Sequence, residues 1–305
     1  MVRMKPKVCT IIVNFNGTQD TIACLKSLNN ITYANHEVVV VDNASKENAS
    51  LKEFIEESRF HFLELGGNHG FAAGNNKGIH YALSHIADID YFLLLNNDTE
   101  VDPYFLEPLV AECEKDKEVG ACCSHINYHS KRNKTWYGGG DIKWLTGRVL
   151  HKTLERNGKI ASDENFLTGC VFLFPLDILD KVGYLNEDYF LYYEDAAYSL
   201  EIRKAGYKLR YVPDSLVFHK ISATTGYRSP LSNYYGTRNN LLFMSIYANK
   251  LNFLLFLMFF IGKNFVKYCW YILRGKQFKK VAFAIQKAFS DFAASASGKR
   301  EYPFM

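Results

Sequence analysis

Between Val8 and Leu95 the chain repeats one pattern four times: a short apolar run, an abrupt polar ending, then apolar residues at helical spacing. Val8–Phe15 (VCTIIVNF) ends in Asn14, Asn16 and Gly17, and a helix follows from about Thr18, with Ile22, Leu25 and Leu28 on one face. Glu37–Val41 ends in Asp42, Asn43, Ala44 and Ser45, and a helix over Asn48–Glu57 comes next. Phe60–Leu65 is a third strand, and the loop Gly66–Gly70 opens a helix from Phe71 to His85. Tyr91–Leu95 (YFLLL) is the fourth, and it stops at Asn96, Asn97, Asp98, Thr99 and Glu100. Runs like these are buried on both faces. Their alternation with helices predicts an α/β fold built on a doubly wound parallel sheet with right-handed crossovers. The polar ends then line a crevice outside the carboxyl edge of the sheet, where a nucleotide normally lies. The acceptors around Asp98 suit a hard divalent cation. Taken singly, each polar end also reads as turn chemistry, and Asn97-Asp98-Thr99 as the cap of a helix after Pro103.

The pattern changes after Glu118. Val119–Ile126 reads as a strand, Tyr128–Gly158 as short hairpins rich in Gly and aromatics, and Thr168–Phe174 as a buried strand. Pro175 stands where a helix would begin. Glu194-Asp195 precede a helix that ends near Gly206, with Arg203 and Lys204 in its last turn. Lys208–Val212 and Ser215–Phe218 read as two short strands, the second ending at His219, and Lys220–Pro230 reads as a mobile loop.

A net charge of +4 is too mild to argue for nucleic acid, and a 48% hydrophobic fraction excludes wholesale disorder. Seven cysteines with no CxxC pair suggest reduced thiols in a cytosolic compartment, several of them in apolar runs as small core residues. The apolar run of MVRMKPKVCTIIV is too short for a signal peptide, so the catalytic part is expected to stay in the cytoplasm.

Four stretches taken together, VDNAS (Val41–Ser45), GFAAGNNKG (Gly70–Gly78), LLLNNDT (Leu93–Thr99) and YYEDAAYSLEIRKAGY (Tyr192–Tyr207), resemble the inverting glycosyltransferases of family 2, most nearly their rhamnosyltransferase-like branch. The resemblance covers roughly Val8 to Leu242. It implies a GT-A fold, a mixed sheet with a Rossmann-like nucleotide half (about 1–118) and an acceptor half (about 119–242). It also implies transfer of a sugar from a nucleoside-diphosphate sugar with the help of a divalent metal, Mg²⁺ or Mn²⁺. The family's DxD metal motif falls on Asn96-Asn97-Asp98, so only Asp98 offers a carboxylate there. His219 resembles a family histidine that completes the metal site; it reads otherwise as a surface or core histidine. The resemblance gives Asp195, beside Glu194, the role of the base that deprotonates the acceptor hydroxyl. On their own the two acids read equally as openers of the helix that follows.

For the donor, Asp42 and Asn43 can bond the base or ribose, a role the resemblance also gives this turn. Val13, Asn14, Asn16, Gly74, Asn75, Asn76 and Asn97 are expected around the same crevice. Arg238, in YYGTRNN, is a candidate diphosphate contact or a plain solvated arginine. Trp136, Tyr137 and Trp144 could stack on an acceptor sugar or pack the second half, and Gly169 and Tyr193 are placed with the acceptor. The donor sugar suggested by the resemblance is rhamnose on dTDP, with UDP-hexoses and galactofuranose left open. The acceptor would be a glycan or polyprenyl-linked precursor of a cell-surface polysaccharide. Two other classes stay open. A nucleotidyltransferase lacks here a Gly-rich, Lys-containing triphosphate loop, and a silent glycan-binding module draws support from Asn96.

The segment 243–305 is expected to be a helical, membrane-associating tail. Leu251–Ile261 is intensely apolar but falls short of the roughly 30 Å of a bilayer core. Extending it to Leu273 takes in Lys263 and Lys267, whose cost of about +5 to +7 kcal/mol nearly cancels what Leu, Ile, Phe and Val contribute. A helix lying on the inner face of the cell membrane avoids that cost. The alternative is a packing helix in a homodimer.

Overall fold

The computed structural model describes residues 5–153, 160–221 and 229–303, with 276 and 277 described by their backbone alone. The expected mobile loop at 220–230 falls mostly on 222–228, outside the described residues. So does the end of the expected hairpin region, 154–158. In chain order the first half forms β1 (Val8–Asn14), α1 (Thr18–Leu28), β2 (His36–Asp42), α2 (Ala49–Glu56), β3 (His61–Glu64), α3 (Gly70–His85), β4 (Tyr91–Leu95), β5 (Thr99–Val101) and α4 (Leu106–Lys115). Then come β6 (Val119–Tyr128), β7 (Lys131–Tyr137), β8 (Gly140–Lys143), β9 (Arg148–His151), β10 (Ser162–Asp163), β11 (Val171–Pro175), α5 (Asp177–Val182), α6 (Glu194–Lys204) and β12 (Lys208–His219). Three helices close the chain: α7 (Pro230–Tyr247), α8 (Lys250–Leu273) and α9 (Lys276–Ala293).

The sheet is continuous and mixed, in the order β10-β12-β6-β11-β4-β1-β2-β3. β1 runs parallel to β2 on one side and to β4 on the other, and β2 is parallel to β3. β11 is antiparallel to β4 and joins the second half to the first. The order reverses beside β1, and an open α/β sheet leaves its ligand crevice at such a point. α3 comes close enough to cover β1 and β2 because Gly78 leaves room: a Cβ there would lie 2.5 Å from Ile11. Val8, Ile11, Val39, Val40, Leu93 and Leu94 are all buried, as expected of strands covered on both faces.

Four expectations are corrected. Pro175 opens no helix; it is the last residue of β11, opposite Tyr91, and the helix starts at Asp177. Thr168–Cys170 turn into β11 rather than belonging to it. The two strands expected between Lys208 and His219 are one, irregular between Val212 and Leu216, and that break accommodates Pro213. After Asp98 the chain makes β5 rather than capping a helix.

The tail is not an appendage. A boundary after Leu242 falls inside α7, and α9 lies against both α7 and α8. Phe256, Phe260, Asn264 and Tyr271 form the buried line of α8. Lys267, on that side, donates to Asn233 Oδ1 at 2.6 Å, whereas Lys263 is exposed at the flank of that line. Lys267 therefore does not interrupt the outer face, where Leu251, Leu254, Leu255, Met258, Phe259, Ile261, Phe265 and Val266 are exposed, and Lys263 borders it. The 24 residues of α8 are long and apolar enough to cross a membrane.

Candidate active site

Two adjoining hollows lie at the carboxyl edge of the sheet. The larger, about 600 Å³, is floored by Val13 near the end of β1, by Phe15 just beyond it and by Asn96, Asn97 and Asp98 beyond β4, with Asn43 and Phe71 at its sides. Asp98 Oδ1 is 3.0 Å from His219 Nε2, and both side chains are largely buried. His219 reaches Asp98 because β12 pairs with β5, which sets His219 opposite Thr99. Its Nδ1 has no hydrogen-bond partner among the described residues, and its ring meets Trp136 edge-on at 4.4 Å.

The smaller hollow, about 350 Å³, is lined by Arg148, Val149, His151, Phe166, Tyr192, Tyr193, Glu194 and Asp195. Two consecutive non-glycine residues, Tyr192 (φ 70°) and Tyr193 (φ 75°), hold left-handed backbone immediately before the acids. Such strain persists only where surrounding structure enforces it, and it is found at functional sites. Here Asn239 enforces it, donating from Nδ2 to the carbonyls of Leu191 and Tyr192, while the Tyr193 hydroxyl donates to Gly147 O.

The two acids have different surroundings. Asp195 Oδ2 accepts from Gly169 N at 2.9 Å and Oδ1 from Ala196 N at 2.8 Å. Glu194 is buried, and its Oε2 lacks any partner among the described residues. Burial, then the charge of Asp195, pushes the Glu194 carboxyl well above the usual range, and burial raises Asp195 against the pull of its backbone donors. Two backbone donors support the charged form of Asp195, and Glu194 Oε2 has no such support, so the two acids are set different roles by their environment. His151 is pushed down to about 4 by burial and by His219, so its ring is neutral near pH 7.

The turn before β11 joins the hollows. Asn96 N donates to Cys170 O, Gly169 N binds Asp195, and a Cβ on Gly169 would touch both Asp195 and Phe71 at 3.2 Å. The charges of Asp98 and Asp195 both bear on the buried Cys170 thiol. Asp98 and Asp195 thus belong to neighbouring hollows across one short turn rather than to a single pocket.

Several other expected ligands make bonds within the fold. Asp42 is fully buried and spends both oxygens internally, on Asn14 Nδ2 and on Ser45 N and Asn48 Nδ2. Asn14 is the matching hub, accepting from Gly17 N and Thr21 Oγ1, and Asn97 donates into it. Asn16 shapes the rim with φ 56° and accepts from Lys46 N. Gly74 is a close approach of α3 to Val13, 3.0 Å from a built Cβ. Asn75 bonds its own helix, and Asn76 ties α3 to Leu185 and Glu187. Tyr137 is core, donating to Phe166 O, and Trp144 stacks on Phe243. Trp136 stands between His219 and His151, meeting both rings edge-on.

Arg238 is the largest correction. It is 1% exposed, and its guanidinium donates to Asn239 Oδ1, Gly298 O and Asp188 O while lying over the rings of Tyr234 and Tyr235. It is a clamp on the chain terminus and does not reach the crevice. Conversely, sequence reasoning missed Lys299, Arg300, Glu301 and Tyr302, which line the larger hollow, and Arg148, His151 and Phe166 in the smaller. Spacing gave no signal for these, because each arrives from a distant part of the chain.

Residues 9–183 match the family model described as glycosyl transferase family 2, more than half of the chain. The chain belongs to glycosyl transferase family 2. It is 27% identical over 204 residues to a low-salt glycan biosynthesis hexosyltransferase, Agl10, of Haloferax volcanii, covering 64% of this chain and 61% of that protein. It is 24% identical over 221 residues to poly-beta-1,6-N-acetyl-D-glucosamine synthase of Staphylococcus aureus, covering 71% of this chain and 50% of that one. The chain thus spans about half to three-fifths of the length of these relatives. Among solved structures, GalNAc-T7 with UDP, GalNAc and Mn²⁺ superposes with a TM-score of 0.59 at 17% identity, over 76% of this chain and 50% of that one. S. aureus TarS does so with 0.54 at 14% identity, over 77% and 39%. The fold is of the GT-A type.

Proposed function

We propose that this protein is an inverting, metal-dependent glycosyltransferase that moves a sugar, with rhamnose among the candidates, from a nucleoside-diphosphate donor to a hydroxyl of a glycan precursor. The observation that carries this is the pairing of the two hollows: Asp98, with His219 against it, floors the larger, and a strained turn presents Glu194 and Asp195 in the smaller. The larger hollow is of the size that takes a nucleotide sugar. It lies at the carboxyl edge of the sheet, where such ligands bind.

Asp98 and His219 are an acceptable start to a divalent site. No third His, Cys, Asp or Glu joins them among the described residues, so donor oxygens and water would supply the remaining ligands, as suits Mg²⁺ or Mn²⁺. When bound, the metal would stabilise charge on the departing diphosphate. Asp195, the acid whose charge two backbone donors support, would take the acceptor proton, and Glu194 would stand by it protonated. Trp136 and Tyr193 would flank the acceptor. The test is nucleoside diphosphate release from UDP-, dTDP- and GDP-sugars with Mn²⁺ or Mg²⁺. Release from at least one donor, lost with EDTA and in Asp98→Ala, is expected; no release from any donor with either metal would sink the proposal.

The bare side of α8 motivates a second part of this reading, attachment to the cytoplasmic face of a membrane close to a lipid-linked acceptor. Its outer stripe is apolar, with Lys267 turned to the packed side, exposed Lys263 at its border and Trp270 exposed near its end. An interfacial helix has this make-up, with an apolar face that can dip to the acyl boundary. Removing residues 251–305 would also remove part of the larger hollow, so point changes are the cleaner test. Leu254→Glu with Phe265→Glu should abolish co-sedimentation with phosphatidylglycerol vesicles, and undiminished pelleting would rule the attachment out.

A further inference from the structure

The larger hollow is built from both ends of the chain. Opposite the strand tips of β1 and β4 its wall is Lys299, Arg300, Glu301 and Tyr302, more than 200 residues further along the sequence. This segment is anchored through main-chain groups and the Ser297 hydroxyl. Gly298 N donates to Asp188 O, Gly298 O accepts from Arg238, Arg300 N donates to the Tyr235 hydroxyl, and Ser297 Oγ donates to Asp188 Oδ1. Beyond it, Tyr302 donates to the buried Asp291, which also accepts from Tyr234. The backbone on both sides of Arg300 is therefore fixed while its side chain stays exposed in the wall.

The charges of this wall are not equivalent. Lys299 Nζ sits 2.8 Å from Glu301 Oε1, so the two largely cancel. No carboxylate among the described residues pairs with Arg300, although seventeen residues line the hollow, Asp98 and Glu301 among them. An uncommitted guanidinium on fixed backbone, facing a hollow with a candidate metal site, is matched to a doubly oxygenated anion. A planar fork binds phosphate oxygens bidentately, and such charge-assisted bonds are the strong ones.

We propose that Arg300, delivered by the folded-back terminus, is a binding residue for the diphosphate of the donor, with Lys299 adding positive potential beside it. The inference rests on the donor reading given above and deepens it. Arg238, the arginine whose sequence context suggested this contact, instead pins the segment that carries Arg300. Charge on the diphosphate grows as its bond to the sugar breaks, so a cation held there by the fold favours departure without having to rearrange.

Calorimetric titration of the full chain with UDP, dTDP and GDP, each with Mn²⁺, and with the matching monophosphates, separates the outcomes. Wild type should bind at least one diphosphate. Arg300→Ala should weaken that diphosphate by about ten- to a hundredfold, the range for losing a hydrogen-bonded charge, and the monophosphate by much less. Arg300→Lys should recover part of the loss, and raising the salt should narrow the gap between wild type and Arg300→Ala. The thermal midpoints should agree, since the anchors are main-chain atoms and the Ser297 hydroxyl; if Arg300→Ala melts early, the comparison passes to Arg300→Lys and Arg300→Gln. Equal diphosphate binding by wild type and the variants overturns this inference and leaves the donor reading standing. Equal loss for mono- and diphosphate overturns it too, as a general wall effect. No binding by wild type overturns both.

Discussion

Replacing Asp195 by asparagine is expected to lower turnover by about 10²–10⁴-fold, the usual contribution of a positioned base, while leaving donor affinity close to wild type. The change is nearly isosteric. The side chain belongs to the smaller hollow and not to the larger, so the donor should not sense it. Calorimetry for the donor found by the screen above, paired with its rate of diphosphate release, checks both halves. Turnover within a few-fold of wild type would refute the assignment; a matching loss of affinity would move Asp195 into donor binding. The pH profile adds a second signature. Burial holds the Asp195 carboxyl above its ordinary range, and the base works only when ionised, so the rate should fall as pH drops through that raised value. That acid limb should disappear in the residual activity of Asp195→Asn. Glu194→Gln should keep it, because the neutral amide resembles the protonated form that burial favours for Glu194.

The parts of this site that were legible in the sequence share one physical property: their surroundings are local. A buried parallel strand must be continuously apolar, so β1, β2 and β4 announced themselves, and their polar ends placed Asn43 and Asp98 at the carboxyl edge of the sheet. Glu194-Asp195 was readable because a motif of sixteen residues surrounded it. Asp42 and Asn14 read as ligands in the sequence because polar residues at strand tips satisfy either a substrate or each other, and only coordinates show that they bond to each other. The break in β12 is a pairing irregularity against β6, invisible without the partner strand. Lys267 reads as an obstacle to burial in lipid until its bond on the packed side of α8 is known. The return of the terminus to the larger hollow depends on contacts 50 to 60 residues apart along the chain, from Arg238 to Asp188 and Gly298, which no spacing rule reports.

Arg238→Met is expected to destabilise the protein by about 3–5 kcal/mol, measured by urea unfolding without any nucleotide present. The magnitude follows from deleting one partner of a buried, hydrogen-bonded charge. The thioether fills much of the same volume, but Gly298 O loses its donor, and Asp188 O and Asn239 Oδ1 lose the guanidinium. The damage should spread in two directions. Arg238 and Asn239 together hold 188–192, so the left-handed turn at Tyr192 and Tyr193 should relax and the acids with it. Gly298 holds the segment bearing Arg300, so the wall of the larger hollow should loosen as well. A direct diphosphate contact makes the opposite prediction: unchanged unfolding without ligand, with weaker donor affinity alone. Arg238→Lys sharpens the distinction, because a lysine keeps the charge but cannot reach three acceptors in one plane. Under the clamp it should be nearly as unstable as methionine, whereas under a simple charge contact it should retain most of the donor affinity. Unfolding midpoints of both variants equal to wild type would show that the terminus is held by other contacts and that Arg238 is dispensable to the fold.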